Sequence, residues 1–482
     1  MPGSTERDDA SAGGGTAHRW RWRILGLLGV AQLMLILDVT VVAIALPHIE
    51  ADLGLSRAAL TWTVSAYTVT FGGLLLLGGR ITDLFGAKRV VLTGLLIFTA
   101  ASLATGLAAS PGVLLGGRVG QGVGAALLSP SALSLVVTLF AGDERNKALG
   151  IWSALGGGGA ALGVLLGGLL TAGPGWPWVF YINVPIGLVM LVSLAALLPH
   201  HRAAPGRGRV DVLGAVLVTA SSAVLIHALI DSGDRGWLSG TTAWLPALAV
   251  AGYLGFVVWQ RRARSPLMDV TVLARRPVAA GTFLILIATA LMITVFFMGT
   301  FYFQDAQGYG ALQTGLLFLP VALATILGAQ LTGRAIARYG GRRLAAAGMA
   351  AAAAGMAVPA VWMHPVTVVV GVVIAAAGTG AEFVVASATA LGQVAPHEAG
   401  IVSGIVSTFH EFGASLGAAV ISSVAAASLV GATLSGFGDG FVVAAVTAGA
   451  ASVVAAVLTP DPPARSGAAG SAVDGSRGSF EG

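Results

Sequence analysis

The sequence predicts an all-α integral membrane protein built from two related bundles of helices. Of its 482 residues, 56% are hydrophobic and only 10% are charged, and the mean hydropathy is +0.87. Soluble domains carry about 25% charged residues, so this chain has too few of them to cover a water-facing surface. The sequence contains no cysteine, which excludes disulfide frameworks, thiolate metal ligation and cysteine catalysis.

Fourteen apolar runs are long enough to cross a bilayer, because a helix needs roughly 20 apolar residues to span its hydrocarbon core. We place the first eight at 24–46, 61–81, 90–109, 113–137, 149–171, 179–198, 211–231 and 243–259. The other six lie at 279–303, 314–333, 344–362, 367–391, 402–427 and 440–458. An even number of spans puts both termini on one side of the membrane. The first run is too long for a signal peptide and contains Asp38.

The basic residues indicate which side that is. With the N-terminus in the cytoplasm, 23 of the 26 Lys and Arg residues fall in cytoplasmic segments. Only Arg57 and Arg235 fall in outer loops, and Arg118 falls inside a span. This split follows the positive-inside rule. The sequence therefore predicts a multi-pass protein of a bacterial cytoplasmic membrane with cytoplasmic termini, and the net charge of +5 reflects contact with the lipid bilayer rather than with nucleic acid.

An internal repeat appears without gaps at an offset of 254 residues. The segment 79–89 aligns with 333–343, and 148–163 aligns with 402–417. Spans 1–6 are therefore predicted to be duplicated as spans 9–14, a parallel repeat typical of transporters that rock two bundles around a central site. The predicted units are a disordered tail 1–18, a six-helix bundle 19–200, a two-helix insertion 201–277, a second six-helix bundle 278–459 and a disordered tail 460–482.

Ionisable residues within the spans are the candidate site residues, because each costs at least ~2.5–3.5 kcal/mol to insert. Asp38 in span 1 and Arg118 in span 4 lie ~12 Å and ~9 Å below the same face. An ion pair between them is therefore geometrically possible, and it is either structural or controlled by protonation. Glu382 in span 12 and Glu411 in span 13 lie in the opposite half of the membrane, where a carboxylate could take a coupled proton or bind a cationic substrate.

The repeat sets these four residues apart, because their duplicated positions carry no charge. A charged residue that occurs in only one of the two repeated halves is what we expect of a functional site residue. In the order Asp38, Arg118, Glu382 and Glu411, the duplicated positions are Met292, Val372, Leu128 and Gly157.

Four motifs resemble those of the major facilitator superfamily, in particular its drug:proton antiporter branch with fourteen spans. GRITDLFGAKR (79–89) is similar to the loop motif between spans 2 and 3, and LDVTVVAIALP (37–47) to the span-1 signature. RVGQGVGAA (118–126) resembles the span-4 motif, and WPWVFYINVPIG (176–187) resembles a signature that opens span 6. The resemblance implies a major facilitator fold with two six-helix bundles and two inserted helices, which works by alternating access. Val164 stands where the span-5 motif has proline.

The resemblance also implies roles for individual residues. Asp38, Arg118 and Glu411 are expected to couple protons, with Glu382 as a substrate or second proton site. Small residues on one face of span 5 are expected to seal the central path by close helix contact; these are Gly159, Gly163, Gly167 and Gly168. The loop motif is expected to gate the cytoplasmic side through Gly79, Arg80, Asp83, Gly86, Lys88 and Arg89.

Two further expectations concern residues near the spans. Aromatic residues such as Trp62, Tyr67, Tyr302 and Phe303 are expected mainly in membrane-interface belts, with one or two lining a pocket. In the loop motif, Asp83 is expected near the positive N-terminal end of a neighbouring helix, and the basic residues near carbonyl ends or acidic partners.

The apparent enzyme motifs fail on inspection. The two His-Glu pairs lack the second histidine of HExxH, since Ile401 and Ala414 occupy its positions. The segment 413–417 matches GxSxG but lies within a predicted helix. The sequence contains no GxxxxGK[ST] segment, so an ion gradient is the remaining energy source.

The sequence therefore predicts a proton-coupled efflux antiporter for lipophilic drugs or antibiotics. We expect it to function as a monomer, with a small lipophilic substrate and protons as its ligands and without a cofactor, a metal or a nucleotide. The alternative is a proton-coupled uptake or metabolite carrier on the same fold. A membrane-embedded enzyme or sensor is disfavoured, because no catalytic constellation is assembled.

Overall fold

The fold consists of long helices that we label α1–α14. The computed structural model describes residues 8–198, 209–236, 239–395, 398–426 and 435–460, but not the side chains of 8–19, 146, 153, 154, 156–158, 160, 241 and 242. The first helices are α1 (Asp8–Leu53), α2 (Arg57–Phe85), α3 (Ala87–Gly106), α4 (Pro111–Leu139), α5 (Gly142–Ala172) and α6 (Asn183–Leu197). The next two are α7 (Val212–Arg235) and α8 (Gly240–Arg262). The last six are α9 (Arg276–Phe301), α10 (Ala311–Tyr339), α11 (Gly341–Val361), α12 (Pro365–Leu391), α13 (Ala399–Val424) and α14 (Ser435–Leu458).

Short helical segments adjoin two of these helices. A single turn at Trp178–Tyr181 precedes α6, and another at Thr271–Ala274 precedes α9. A π-helical turn at Tyr302–Ala306 continues α9.

Thirteen of the predicted spans coincide with helices that are long and apolar enough to cross a membrane, judged by length and composition within the described residues. The remaining span, 149–171, lies within α5, of which Ala161–Ala172 is a shorter apolar helix. α1 begins at Asp8, inside the segment that the sequence predicts as a disordered tail. No proline interrupts residues 8–19, so the helix continues from the span into that segment. The predicted boundary between residues 200 and 201 and the tail from 461 onward lie outside the described residues.

The helix bounds repeat at the offset found in the sequence. α2 and α10 each contain 29 residues, and α10 begins 254 residues after α2. The turns repeat as well: Gly54 and Gly308 have φ angles of 60° and 68°, and Gly86 and Gly340 have φ angles of 87° and 80°. Glycine adopts this left-handed conformation without the steric cost that other residues incur. The duplication therefore extends from the helices to the conformation of the turns that connect them.

The long helices form two six-helix halves, α1–α6 and α9–α14, which meet along two seams. Within the halves equivalent pairs pack together: α2 and α3 pack on α4, as α10 and α11 pack on α12. Between the halves, α2 packs on α13 and α5 packs on α10. These seams are equivalent under the repeat, since α10 repeats α2 and α13 repeats α5. We call the side on which α1 begins the terminal face, and the side of the α1–α2 turn the far face.

The insertion, α7 and α8, packs beside one of these seams. α7 and α8 pack on each other, and α7 also contacts both α2 and α13. Only 17% of the apolar window of α8 is buried, so most of its surface is available to lipid. The insertion therefore covers the lipid side of the α2–α13 seam.

Small residues bring the helices of each half close together. In α4, a Cβ added at Gly124 would lie 2.5 Å from the backbone nitrogen of Phe98 in α3. At the equivalent place in the second half, a Cβ added at Gly378 would lie 2.8 Å from the backbone nitrogen of Ala352. Helices in a bilayer associate through this kind of close backbone approach rather than through the hydrophobic effect.

We expect Gly124→Ala to lower the thermal unfolding temperature of the protein in detergent micelles, because overpacking a tight interface costs about 1–3 kcal/mol. Gly116→Ala is the matched control on the same helix, since no atom lies within 4 Å of a Cβ added there. The control is expected to leave the unfolding temperature unchanged or slightly raised. Equal unfolding temperatures for the two variants would contradict the close α3–α4 contact.

Candidate transport site

A buried ion pair joins α1 to α4 inside the first half. Arg118 Nη1 donates a hydrogen bond to Asp38 Oδ2, and the two side chains are 1% and 0% exposed. Asp38 lies near the middle of the apolar stretch Trp20–Leu53 of α1. Charges in such surroundings are tolerated only when they are paired and hydrogen-bonded. The structure thus brings together the two residues that the sequence places at similar depth.

Further polar side chains complete the hydrogen bonds of this pair. Gln121 Nε2 donates to Asp38 Oδ1 at 2.8 Å and to Ser102 Oγ of α3 at 2.9 Å. Gln121 Oε1 accepts from Arg118 Nη1 at 3.0 Å, and Asn183 Nδ2 of α6 approaches Ser102 Oγ at 3.5 Å. Both carboxylate oxygens of Asp38 therefore have a donor. We call Asp38, Arg118, Gln121 and Ser102 the buried polar network.

Arg118 also binds α2. Its Nε donates to the main-chain oxygen of Thr63 at 2.8 Å, and its guanidinium carbon lies 4.5 Å from the centroid of the Tyr67 ring. The second contact is a cation–π interaction. Tyr67 is fully buried and lies within electrostatic range of both Asp38 and Glu411. Because α2 packs on α13 and on α7, the network is bonded to the helix that contacts the second half and the insertion.

Glu411 lies on α13 at the α2–α13 seam and is 9% exposed. It sits opposite Gly72 of α2, where an added Cβ would lie 2.7 Å from the Cβ of Glu411. Hydroxyl groups join the two helices around it. Thr408 Oγ1 donates to Gly72 O at 3.1 Å, and the hydroxyls of Thr68 and Ser415 share a hydrogen bond of 2.5 Å. Glu411 therefore belongs to the second half but lies at its contact with the first.

Glu382 occupies a different place, between α11 and α12 inside the second half. It is fully buried, and neither of its carboxylate oxygens has a hydrogen-bond partner in the described chain. It faces Gly348 of α11, where an added Cβ would collide with Glu382 Oε1. The structure therefore keeps Glu382 apart from the buried polar network and from the α2–α13 seam.

The α2–α3 turn on the terminal face contains the GRITDLFGAKR segment. Gly86 ends α2 and precedes α3 with the positive φ given above. Lys88 Nζ donates to Ala195 O at 3.0 Å and to Leu198 O, two carbonyls at the C-terminal end of α6. A cation is favoured at this end of a helix.

The other polar residues of this segment are more accessible. Asp83 is exposed, and it makes no hydrogen bond or ion pair with the described part of the chain. Gly79 and Arg80 are half-buried near the end of α2, and Arg89 is exposed at the start of α3. The residues of the motif therefore lie together at the α2–α3 turn. Lys88 is hydrogen-bonded to the end of α6, whereas the carboxylate of Asp83 makes no such contact with the described part of the chain.

A second buried arginine joins three parts of the molecule at the far face. Arg57, the first residue of α2, is 6% exposed and donates through Nη1 to Ser422 O at 3.1 Å and to Ser422 Oγ at 2.9 Å on α13. Its Nη2 donates to Ile230 O, and its Nε donates to Asp234 Oδ1 at 3.0 Å, both on α7. One side chain therefore connects the first half, the second half and the insertion. At the far face, the α2–α13 seam is closed.

Comparison with models of known protein families identifies the family of this chain. It matches the Major Facilitator Superfamily over residues 28–418, with a second match over residues 321–480. The chain belongs to the major facilitator superfamily. It is therefore a multi-pass membrane transporter of small molecules rather than an enzyme.

Several relatives of this transporter are named for antibiotics. A puromycin resistance protein of Streptomyces alboniger is 37% identical over 431 residues, covering 86% of this chain and 84% of the relative. A cephamycin export protein of Amycolatopsis lactamdurans is 37% identical over 452 residues, covering 91% and 92%. Among solved structures, a bacterial homologue of the human lysosomal transporter Spinster, inward-facing and occupied, has a TM-score of 0.63 at 18% identity. That match covers 91% of this chain and 96% of the other, and it shows the shared fold.

The α5 glycines of this superfamily member pack on two different neighbours. Gly159, Gly163 and Gly167 face α1. At Gly167, an added Cβ would lie 3.0 Å from the Cα of Val41. Gly168 faces α10 instead, where an added Cβ would lie 2.8 Å from Ala311 O. The glycine face therefore binds α5 to α1, and the adjacent Gly168 belongs to the α5–α10 seam.

Three aromatic residues are buried where the sequence predicts the membrane interface. Tyr67, Tyr302 and Phe303 are at most 1% exposed, so the interface-belt prediction is wrong for them. The rings of Tyr302 and Phe303 pack edge to face, 5.3 Å apart, at the end of α9. The position of a residue near a span end gives its depth in the membrane. It does not show whether the side chain faces lipid or the protein interior.

Sequence reasoning missed the roles of three residues in these contacts: Gln121, Arg57 and Ser102. Gln121 lies three residues after Arg118, so helical spacing alone puts both on one face and could have indicated their contact. Arg57 is assigned to an outer loop by the sequence, because a charge beside a span end is usually solvated. Ser102 carries no sequence signal, since serine is common in transmembrane helices as a packing residue.

Arg118→Leu is expected to lower the free energy of unfolding by about 3–5 kcal/mol, because it leaves the Asp38 carboxylate buried without its partner. Combining it with Asp38→Asn is expected to recover part of this loss, since no unpaired charge then remains in the network. Thermal unfolding of both single variants and of the double variant in the same detergent measures the coupling. Losses that simply add in the double variant would contradict a direct interaction between the two side chains.

Proposed function

We propose that this transporter is a proton-coupled antiporter that exports lipophilic drugs or antibiotics across the bacterial cytoplasmic membrane by alternating access. The observation that carries the proposal is the buried polar network, in which the ion pair of Asp38 is made with an arginine that also binds α2. The relatives named for puromycin resistance and cephamycin export support the export direction. In this proposal the terminal face lies in the cytoplasm and the protein acts as a monomer.

Protonation of Asp38 would change the bonds of Arg118 in a defined way. The neutral acid no longer offers a full counter-charge, so Arg118 is left with Gln121 Oε1, the main-chain oxygen of Thr63 and the Tyr67 ring. Two of these three partners belong to α2. Loss of the counter-charge therefore weakens the α1–α4 contact and shifts the balance of interactions towards α2.

The seam carries this change to the second half. α2 contacts α13 through Tyr67's neighbour Thr68, which is hydrogen-bonded to Ser415, and through Gly72, which accepts from Thr408. A small rotation of α2 alters both contacts together, because they lie on one helix. This coupling between a protonation site and an interhelix seam is what an antiporter requires, since proton binding must bias one of two arrangements of the halves.

A small cavity adjoins Asp38. About 90 Å³ of space lies between α1, α5 and α6, and its lining includes Asp38 and Asn183. This volume accommodates two or three water molecules at about 30 Å³ each. We propose that these waters deliver the proton without exposing the ion pair to bulk solvent.

The two faces supply the gates in this scheme. Arg57 closes the far face in the present structure, whereas Asp83 at the terminal face is exposed. We propose that closure of the terminal face engages Asp83 with a helix N-terminus, where an anion is favoured. The remaining residues of the gate motif are Gly79, Arg80, Gly86, Lys88 and Arg89. We propose that the α5 glycines Gly159, Gly163, Gly167 and Gly168 seal the central path by holding α5 close to α1 and α10.

The two glutamates have separate roles in the proposal. Glu411 lies on the seam beside Tyr67, so it joins Asp38 and Arg118 in proton coupling. Glu382 is the candidate for a second proton site, because an ionisable residue buried within a membrane-spanning helix is a functional candidate by default.

We expect Asp38→Asn to abolish substrate accumulation against its gradient in proteoliposomes with an imposed pH gradient, because the variant cannot exchange a proton. A substrate is first chosen by the resistance that the wild type confers on a pump-deleted bacterial host. Asp143→Asn is the control, since Asp143 is exposed at the start of α5, and it is expected to transport like the wild type. Undiminished uphill transport by Asp38→Asn at equal reconstitution would exclude Asp38 from coupling.

The glutamate variants are expected to fail in different measurements. Glu411→Gln should reduce the initial rate for a cationic and a neutral substrate alike, because its role at the seam does not depend on substrate charge. Glu382→Gln should retain the rate but lower the limiting gradient by about fifty-fold at 100 mV, since one fewer proton removes about 2.3 kcal/mol of driving force. Wild-type rates and gradients for both variants with both substrates would show that these glutamates are structural.

A further inference from the structure

A cavity of about 330 Å³ lies between the insertion and the α2–α13 seam. Residues of α2, α7, α8, α9 and α13 line it, together with the segment between α8 and α9. Protein interiors are close-packed, with few voids larger than a water molecule. A space of this size between five helices is therefore not a normal consequence of helix packing, and it falls in the range of small-molecule sites, about 300–1,000 Å³.

Two glycines of α2 shape the wall of this cavity. Gly72 lets α13 approach, because an added Cβ there would lie 3.2 Å from Thr408 O. Gly73 lets α7 approach, because its added Cβ would lie 2.8 Å from the Cβ of Thr219. α2 is thus close to both neighbours, and the cavity lies where α7, α8 and α13 diverge from it.

The cavity faces the hydrocarbon core of the membrane. Gly72, Ser222 and Tyr253 line it, and each lies near the middle of its helix, α2, α7 and α8 respectively. The lining side chains Leu225 and Val257 are half-buried, so they form a rim rather than a sealed wall. Several other side chains of α7 and α8 are apolar and exposed, among them Val216, Leu248 and Leu254. Molecules dissolved in the bilayer therefore reach the cavity without crossing water.

The hydroxyl groups of Ser222, Tyr253 and Thr408 in the wall already donate hydrogen bonds within the protein. Ser222 Oγ donates to Val218 O at 2.8 Å, so Tyr253, whose hydroxyl lies 2.8 Å from Ser222 Oγ, is the donor of that bond. Thr408 donates to Gly72 O. The oxygen of Tyr253 keeps a free lone pair, and none of the lining residues is charged. The wall therefore offers acceptors, no spare donor among these hydroxyls, and no counter-charge for an ion.

We propose that this cavity is a binding site for an uncharged lipophilic small molecule that enters from the bilayer and donates a hydroxyl or N–H hydrogen to Tyr253. The inference deepens the proposed function and rests on it, because such a molecule would be a substrate on its way to export. The Thr68–Ser415 and Thr408–Gly72 hydrogen bonds, together with the packing of Gly72 against Glu411, join α2 to α13 beside the cavity. Opening the α2–α13 seam at this depth gives the bound molecule a passage between them.

The test uses the full-length protein in lipid nanodiscs without any ion gradient, so it measures binding and not coupling. The probe is an alkylphenol that carries a diazirine, and the labelled residues are identified by mass spectrometry. We expect saturable labelling of the cavity wall. Val218→Phe, which fills the cavity, is expected to weaken it at least about tenfold. Val216→Phe is the matched control, because Val216 is 52% exposed on the other side of the same helix.

A second variant tests the hydrogen bond independently of the shape. Tyr253→Phe removes the acceptor and is expected to weaken binding of the alkylphenol about fivefold, the usual effect of one hydrogen bond. The methyl ether of the same probe has no hydrogen to donate, so its binding is expected to be unchanged by this variant. Equal losses for both probes would overturn the assignment of Tyr253 as the acceptor.

Two further results would overturn the proposal as a whole. One is equal labelling of Val218→Phe and Val216→Phe at matched protein recovery. The other is labelling of the same wall by a diazirine phosphatidylcholine that the alkylphenol cannot displace, which would show that a lipid chain occupies the cavity. Loss of transport by Asp38→Asn leaves all of these outcomes unchanged, so failure of the site and failure of the proposed function are distinguishable.

Discussion

The ion pair between Asp38 and Arg118 is the interaction on which the rest of the first half depends. Both side chains are removed from solvent, and a charge in such surroundings must keep its partner and its hydrogen bonds. α1, α2, α3 and α4 each supply one of these bonds. Displacing any one of the four helices alone would leave a buried polar group unsatisfied. The buried polar network therefore ties α1, α2, α3 and α4 together within the first half.

The second half repeats the helices without repeating this requirement. Met292 and Val372 occupy the positions of Asp38 and Arg118, so α9 and α12 meet through apolar contacts. Close approach of small residues replaces the polar network there. A Cβ added at Gly281 of α9 would lie 2.6 Å from Ala386 O of α12, for example. The two halves thus share a shape but differ in what holds them, since the buried ion pair of the first half has no counterpart at the equivalent positions of the second.

The sequence could predict the features that depend only on how deep each residue lies along its helix in the membrane. Equal depth made an ion pair between Asp38 and Arg118 possible, and the constant repeat offset predicted the paired helices. Which face of each helix is turned towards the protein depends on tertiary packing. The sequence of a weakly amphipathic span does not indicate that face. For that reason the burial of Tyr67, the contact of Arg57 with three helices and the isolation of Glu382 had to come from the structure. The position of the insertion against α2 and α13 depends on packing in the same way.

The place of Arg57 has a consequence for how the two faces respond to their surroundings. Its partner Asp234 has a side chain that is 50% exposed, so dissolved ions reach one end of this pair. The Asp38–Arg118 pair has no such access. Dissolved salt therefore screens the interaction that holds α7 to α2 while leaving the inner pair unaffected. The contact between α7 and α2 at the far face is therefore sensitive to ionic strength, whereas the Asp38–Arg118 pair is not.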